Sequence, residues 1–141
     1  MAKTKLITVA EIEYVAHRMA KKFMEWDEPI PDFGTRFPNI LESCLKQPFV
    51  TFEKKNLYVG LTGKGAILFY LMIKNHPFEN GNKRIAITTL LYFLSKNEKW
   101  LRLSNEALYT FARDIAKSDP KRKSEMITQI ERFIRAHLIS K

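Results

Sequence analysis

Apolar residues recur along this chain at helical spacing almost from end to end. Thr8-Val9-Ala10-Glu11 has the form of a capping box, so a helix is expected to start after Thr8. Val9, Ile12, Val15, Ala16, Met19 and Phe23 then mark one face of it to about Trp26. Pro29, Pro31 and Gly34 interrupt the pattern, and a short helix is predicted around Pro38 to Lys46 with proline near its first position. Ala66 to Ile73 is apolar on every side, the pattern of a central, buried helix entered at Gly63 or Gly65. Ile85, Ile87, Leu90, Leu91 and Leu94 predict a second such helix. Ser104 caps another through about Lys117, and Asp119-Pro120 opens the last, with Met126, Ile127, Ile130, Phe133, Ile134 and Leu138 on its core face.

One stretch breaks the helical pattern. Phe49-Val50-Thr51-Phe52 favours strand, Glu53 to Asn56 favours a turn, and Leu57-Tyr58-Val59 suits a returning strand. The expected architecture is therefore all-α with a small β-hairpin flap, in one domain over residues 1–141, two central helices clasping the loop between them.

Composition narrows this only a little. With 45% hydrophobic residues and few glycines and prolines, the chain can bury a core without staples. The single cysteine, Cys44, excludes an internal disulfide framework and fits a core position. Ala66–Ile73 is too short to span a bilayer, and the N-terminus lacks the apolar run of a secretory signal, so a cytoplasmic location is expected. The net charge of +9 calls for an anionic partner: a nucleotide, a nucleic acid or an acidic protein surface.

The candidate chemistry lies between the two central helices, in His76-Pro77-Phe78-Glu79-Asn80-Gly81-Asn82-Lys83-Arg84. Asn82, Lys83 and Arg84 fall in the first turn of a helix, where backbone N–H groups are unpaired and the dipole is positive. Cations are disfavoured there unless an anion joins them, so their placement points to a phosphate ligand. Gly81 lets the loop fold round such a group. An imidazole titrates near neutrality, which suits His76 as a general base toward a hydroxyl. Phe78 would anchor the loop in the core.

These nine residues resemble the Fic-fold signature, H-x-F-x-[D/E]-[G/A]-N-[G/K]-R, and Lys83 at its eighth position is similar to the death-on-curing (Doc) toxins. The likeness extends more loosely from about Thr8 to Ser118. It implies an ATP-dependent transferase acting on a protein hydroxyl with ATP and Mg²⁺. His76 would be the base, Gly81, Asn82, Lys83 and Arg84 would meet the nucleotide's phosphates, and Phe78 would be the structural anchor. Phe49, Val50, Thr51 and Phe52 would form the flap that pairs with the target. The metal-binding position falls on Asn80, with Glu79 as the alternative ligand. Fic proteins mostly transfer AMP; Doc toxins transfer a phosphoryl group to a translation factor such as elongation factor Tu. AMP-transferring members commonly carry glycine at position 83 and a second arginine at position 87. Lys83 and Ile87 stand there instead, which favours phosphoryl transfer. The self-inhibitory pattern [S/T]-x-x-x-E-[G/N] does not occur, so a separate, acidic antitoxin is expected.

Other features carry less. Gly63-Lys64-Gly65 lacks the first glycine and the Ser or Thr of a phosphate loop. His17 and His137 read as structural or surface residues, no His/Cys cluster has zinc spacing, and Lys121-Arg122-Lys123 reads as a solvated helix start. The competing class is a catalytically weak nucleotide- or anion-binding module; nothing in the sequence suggests a nucleic-acid reader or a membrane partner.

Overall fold

The computed structural model describes residues 3–23, 25 and 27–141. Thr8 and Glu11 make the expected reciprocal cap: Thr8 Oγ1 accepts from Glu11 N at 3.2 Å, and Glu11 Oε1 accepts from Thr8 N at 3.0 Å. The helix they open, α1, runs over residues 9–22 with a π turn at Ile12–Ala16. It ends at Lys22, earlier than expected; Trp26 lies outside the described residues.

Helix α2 (Pro38–Lys46) has its proline in the first turn and buries Leu41, Cys44 and Leu45. Burial pushes the Cys44 thiol up to about 12, which makes it an inert core group. The hairpin is shorter than the sequence suggests. Phe49 belongs to a 3₁₀ turn (Gln47–Phe49), and the strands are β1 (Thr51–Phe52) and β2 (Lys55–Asn56), paired antiparallel. Glu53 and Lys54 make the turn with positive φ, the geometry of a two-residue hairpin loop, which pulls the second strand forward from Leu57–Val59.

The two central helices are α3 (Gly60–Lys74) and α4 (Asn82–Lys96). They are antiparallel neighbours: Gly65 near the start of α3 would bring a Cβ to 3.4 Å from Leu90 and 3.8 Å from Phe93 near the end of α4. Both are buried over most of their length, as their all-round apolar sequence requires. Around them pack α1, α5 (Asn105–Lys117, capped by Ser104) and α6 (Lys123–His137). Asp119 caps a 3₁₀ turn (Pro120–Arg122) that leads into α6. Helix α6 stops at His137, and Leu138–Ser140 becomes strand β4, pairing antiparallel with β3 (Lys99–Leu101). That second strand pair has no counterpart in the sequence reading, because its two strands are short and far apart in the chain. Among the described residues no helix is long and apolar enough to cross a membrane.

Candidate functional site

The loop between α3 and α4 is built by its own side chains. Asn75 ends α3, and His76 follows with φ of 49°, a left-handed turn that a non-glycine residue rarely adopts. Phe78, 1% exposed, drops into the core against the rings of His17 and Phe33. Asn82 then closes the loop: its Oδ1 accepts from Phe78 N at 3.0 Å and its Nδ2 donates to Phe78 O at 2.9 Å. The same Nδ2 lies 3.4 Å from His76 Nδ1. A ring accepting there carries its proton on Nε2. Proton uptake at Nε2 needs the other tautomer, which so long a contact does not prevent. Pro77 O accepts from Phe37 N at 2.9 Å, tying the loop to the entrance of α2.

Gly81 starts α4 with φ of 72°, and a Cβ there would stand 2.5 Å from Ile30 Cδ1. Both conformation and space demand glycine. The group pressing on it belongs to a strap, residues 27–31, that crosses over the loop. His17 is buried in α1 and donates from Nε2 to Pro31 O at 2.8 Å; burial holds its pKa below the ordinary value. Tyr109 of α5 hydrogen-bonds Asp27, and burial together with that carboxylate pushes its hydroxyl up to about 12.

Arg84, 2% exposed, faces away from the mouth of the loop. Its Nε donates to Phe23 O, its Nη1 to Glu28 O and its Nη2 to Ala20 O, each at 2.6 Å. It thus ties carbonyls at the end of α1 to the strap and fixes the strap from below. The cavity above it has a volume of about 280 Å³ and is lined by Glu28, Ile73, His76, Glu79, Asn80, Asn82, Lys83 and Ala116. Lys83 Nζ lies 3.6 Å from Glu28 Oε1. With the Asn80 carboxamide oriented to satisfy both its ends, its nitrogen donates to Glu28 Oε2 at 2.9 Å and to Glu79 O at 3.2 Å.

His76, Glu79, Asn80, Asn82 and Lys83 are therefore brought to one cavity. The flap residues are not. Phe49 packs edge-on against Phe93 and under Lys64, whose ammonium donates to Tyr58 O. This is the other end of α3 and α4, one 15-residue helix away from His76, or about 20 Å. Thr51 and Phe52 are exposed there, while Phe49 and Val50 are half-buried. Beside the loop instead is a groove of about 330 Å³ lined by Asn39, Ile40 and Ser43 of α2 and by Asn75.

The loop, α3 and all but the last two residues of α4 fall inside the match to one family model, that of the Fic/DOC family, over residues 6–94. The chain belongs to the Fic/DOC family. This family generally transfers nucleotide-derived groups to proteins, so the chain is a Fic-type transferase in its broad class. No curated protein and no solved structure matches it. The match leaves out α5 and α6, although Ala116 of α5 lines the cavity.

Among the described residues no group of three or more His, Cys, Asp or Glu side chains could hold a metal ion. The oxygens at hand are the Glu28 carboxylate, the Asn80 amide oxygen and the Glu79 carboxylate. Mg²⁺ is commonly held by one or two carboxylates together with substrate phosphates, and this donor set fits that use. Sequence reading missed Glu28 and Tyr109, while His17 is structural, one of the two roles expected for it. The only local signal was an acidic pair, Asp27-Glu28, just before Pro29, and nothing in the sequence linked it to the charged loop.

Proposed function

We propose that this chain is a Doc-like protein phosphotransferase that moves a phosphoryl group from ATP to a hydroxyl of a protein target. The observation that carries the proposal is the shared cavity, in which an imidazole, a lysine and a helix N-terminus converge. The first-turn N–H groups of α4 and Lys83 bind phosphate. His76 takes the proton of the target hydroxyl as that oxygen bonds to the γ-phosphorus, the bond from this phosphorus to the β,γ-bridging oxygen breaks, and ADP leaves. Asn82 holds the loop closed through its two hydrogen bonds to the Phe78 backbone. Arg84 acts beneath the site, fixing the strap and α1 to α4, and its effect on phosphate passes through that geometry. In such transfer the protein mainly positions groups and neutralises charge.

Two features favour the phosphoryl over the AMP product. Lys83 reaches into the cavity, and Ile87, one turn along α4, is wholly buried in the core and offers no second cation. The target segment approaches along the groove beside His76, with the exposed edge of Thr51–Phe52 as a more distant strand-pairing site. Elongation factor Tu is the target that the family likeness suggests. An acidic antitoxin covering the site complements the net charge of +9.

Intact-mass analysis of elongation factor Tu, and of a cell lysate, after incubation with the protein, ATP and Mg²⁺ tests this, with His76→Ala as control. A His76-dependent phosphate adduct is expected. An AMP adduct would move the protein to AMP transfer, and no adduct with nucleotide binding intact would favour a binding module. Toxic expression relieved by His76→Ala is the expected cellular result.

A further inference from the structure

The residue that neither the loop nor the family match explains is Glu28. Its strap is fixed on every side: Arg84 Nη1 holds the Glu28 carbonyl at 2.6 Å, His17 holds the Pro31 carbonyl at 2.8 Å, Tyr109 holds Asp27, and Ile30 seats against Gly81. So anchored a backbone leaves one side chain of the strap in the cavity, and it is a carboxylate. Its neighbours there are Lys83 and Asn80. Asn80 is neutral, so position 80 brings no negative charge to a cation. Asp27, next to Glu28, has one carboxylate oxygen, Oδ2, that is buried and accepts no hydrogen bond. Of the strap's two carboxylates only Glu28 lines the cavity, and Lys83 Nζ stands 3.6 Å from it.

We infer that Glu28 supplies the anionic ligand for the divalent cation accompanying the nucleotide, with the Asn80 amide oxygen beside it: the carboxylate has been moved from the loop to the strap. This rests on the nucleotide reading above. Glu28 Oε2 and the facing Asn80 terminal atom are 2.9 Å apart. Adjacent oxygens around an octahedral Mg²⁺ with bonds near 2.0–2.1 Å are separated by about 2.9 Å. In the free protein the amide nitrogen faces Glu28; a half-turn of the carboxamide offers its oxygen instead, without moving the backbone. The 3.6 Å contact to Lys83 is half exposed and weak, so Lys83 can leave it for a phosphate.

The test measures Mn²⁺ retention by electron paramagnetic resonance on the full chain with a non-hydrolysable ATP analogue, for the wild type, Glu28→Gln, Asn80→Asp and the double variant. Nucleotide affinity in EDTA is measured alongside. Glu28→Gln is expected to weaken Mn²⁺ retention at least about tenfold, a loss that even changes outside the ligand sphere can produce, while metal-free nucleotide affinity is kept or improved. Asn80→Asp in the Glu28→Gln background is expected to restore retention, because it returns a carboxylate to the same place. Unchanged retention in Glu28→Gln, or no restoration in the double variant, would overturn the inference alone. A wild type that binds no nucleotide with or without Mn²⁺ would overturn the nucleotide reading and this inference with it. Thermal melts of each variant establish that the comparison is made on folded protein, and Glu28→Ala, which shares the expected loss, stands in if the glutamine variant melts early.

Discussion

Helix α4 carries a lysine at each end, and the two live in opposite circumstances. Lys96, in the last turn, meets the negative end of the dipole and sits 2.8 Å from both oxygens of Glu11, with Leu6 O as a third acceptor. Tyr92 donates to the same carboxylate, which also accepts from Thr8 N. Burial raises the Glu11 pKa, but the hydrogen bonds from Lys96, Tyr92 and Thr8 and the Lys96 charge outweigh it and bring it down to about 2. Lys83, in the first turn, meets the positive end of the dipole and has a partner only at 3.6 Å. One end of the helix is finished as a structure. The other is left incomplete in the manner of a binding site, with a cation where an isolated helix would place an acid. A difference in satisfaction along one element separates the residues that hold the fold from those available to a ligand.

The sharpest break of that comparison is His76→Ala, which should lower transfer about 10²–10⁴-fold. Its melting midpoint should stay close to the wild type, since the ring is exposed and makes one long contact. A large stability loss would place His76 with the structural end. Arg84→Ala comes next. It strips three carbonyls, one bond buried and two partly buried, of a charged donor and should destabilise the fold by roughly 3–5 kcal/mol in urea titration. Activity would fall only with the folded fraction and the strap's position; a stable variant that had lost phosphate affinity alone would make Arg84 a direct ligand.

Lys83→Met sharpens the contrast, with nucleotide affinity expected to drop about tenfold or more and stability to change by no more than about 0.5 kcal/mol. Isothermal titration and a melt on the same sample read both quantities. At the other end, Glu11→Gln should cost about 1–2 kcal/mol and leave nucleotide affinity alone. The sign with pH follows from the depressed carboxylate. Its contribution is complete above the ordinary value of 4.5 and is lost as pH falls toward about 2. Melts across that window should show a steeper acid loss in the wild type than in Glu11→Gln; parallel curves would remove Glu11 from the acid response.

Much of this arrangement can be read before any coordinates. The capping box at Thr8, the buried pair α3 and α4, and the loop chemistry all follow from patterns within a few residues. The flap is legible as a hairpin but not in its bounds, because the Glu53–Lys54 turn decides the register. Its separation from His76 follows from chain order, because all of α3 lies between them; the expectation that the flap sits beside His76 comes from the family likeness instead. Leu138 illustrates a different limit: it fits the helical core face by spacing, yet it lies in β4, since β3 offers strand hydrogen bonds that end α6 at His137.

What the sequence alone determines about this protein is local: the helical periods, the buried central pair, the glycine that α4 needs at its start, and a set of groups suited to phosphate and proton transfer. The tertiary structure decides how those groups are used. Lys83 and Arg84 are neighbours of the same charge, yet one enters the cavity and the other is taken up by carbonyls 56 to 64 residues away in sequence. Glu28, far from the loop in the chain, ends beside Asn80. Periodicity is a property of neighbouring residues, whereas the partner of a buried charge is set by which backbones the packed core brings against it.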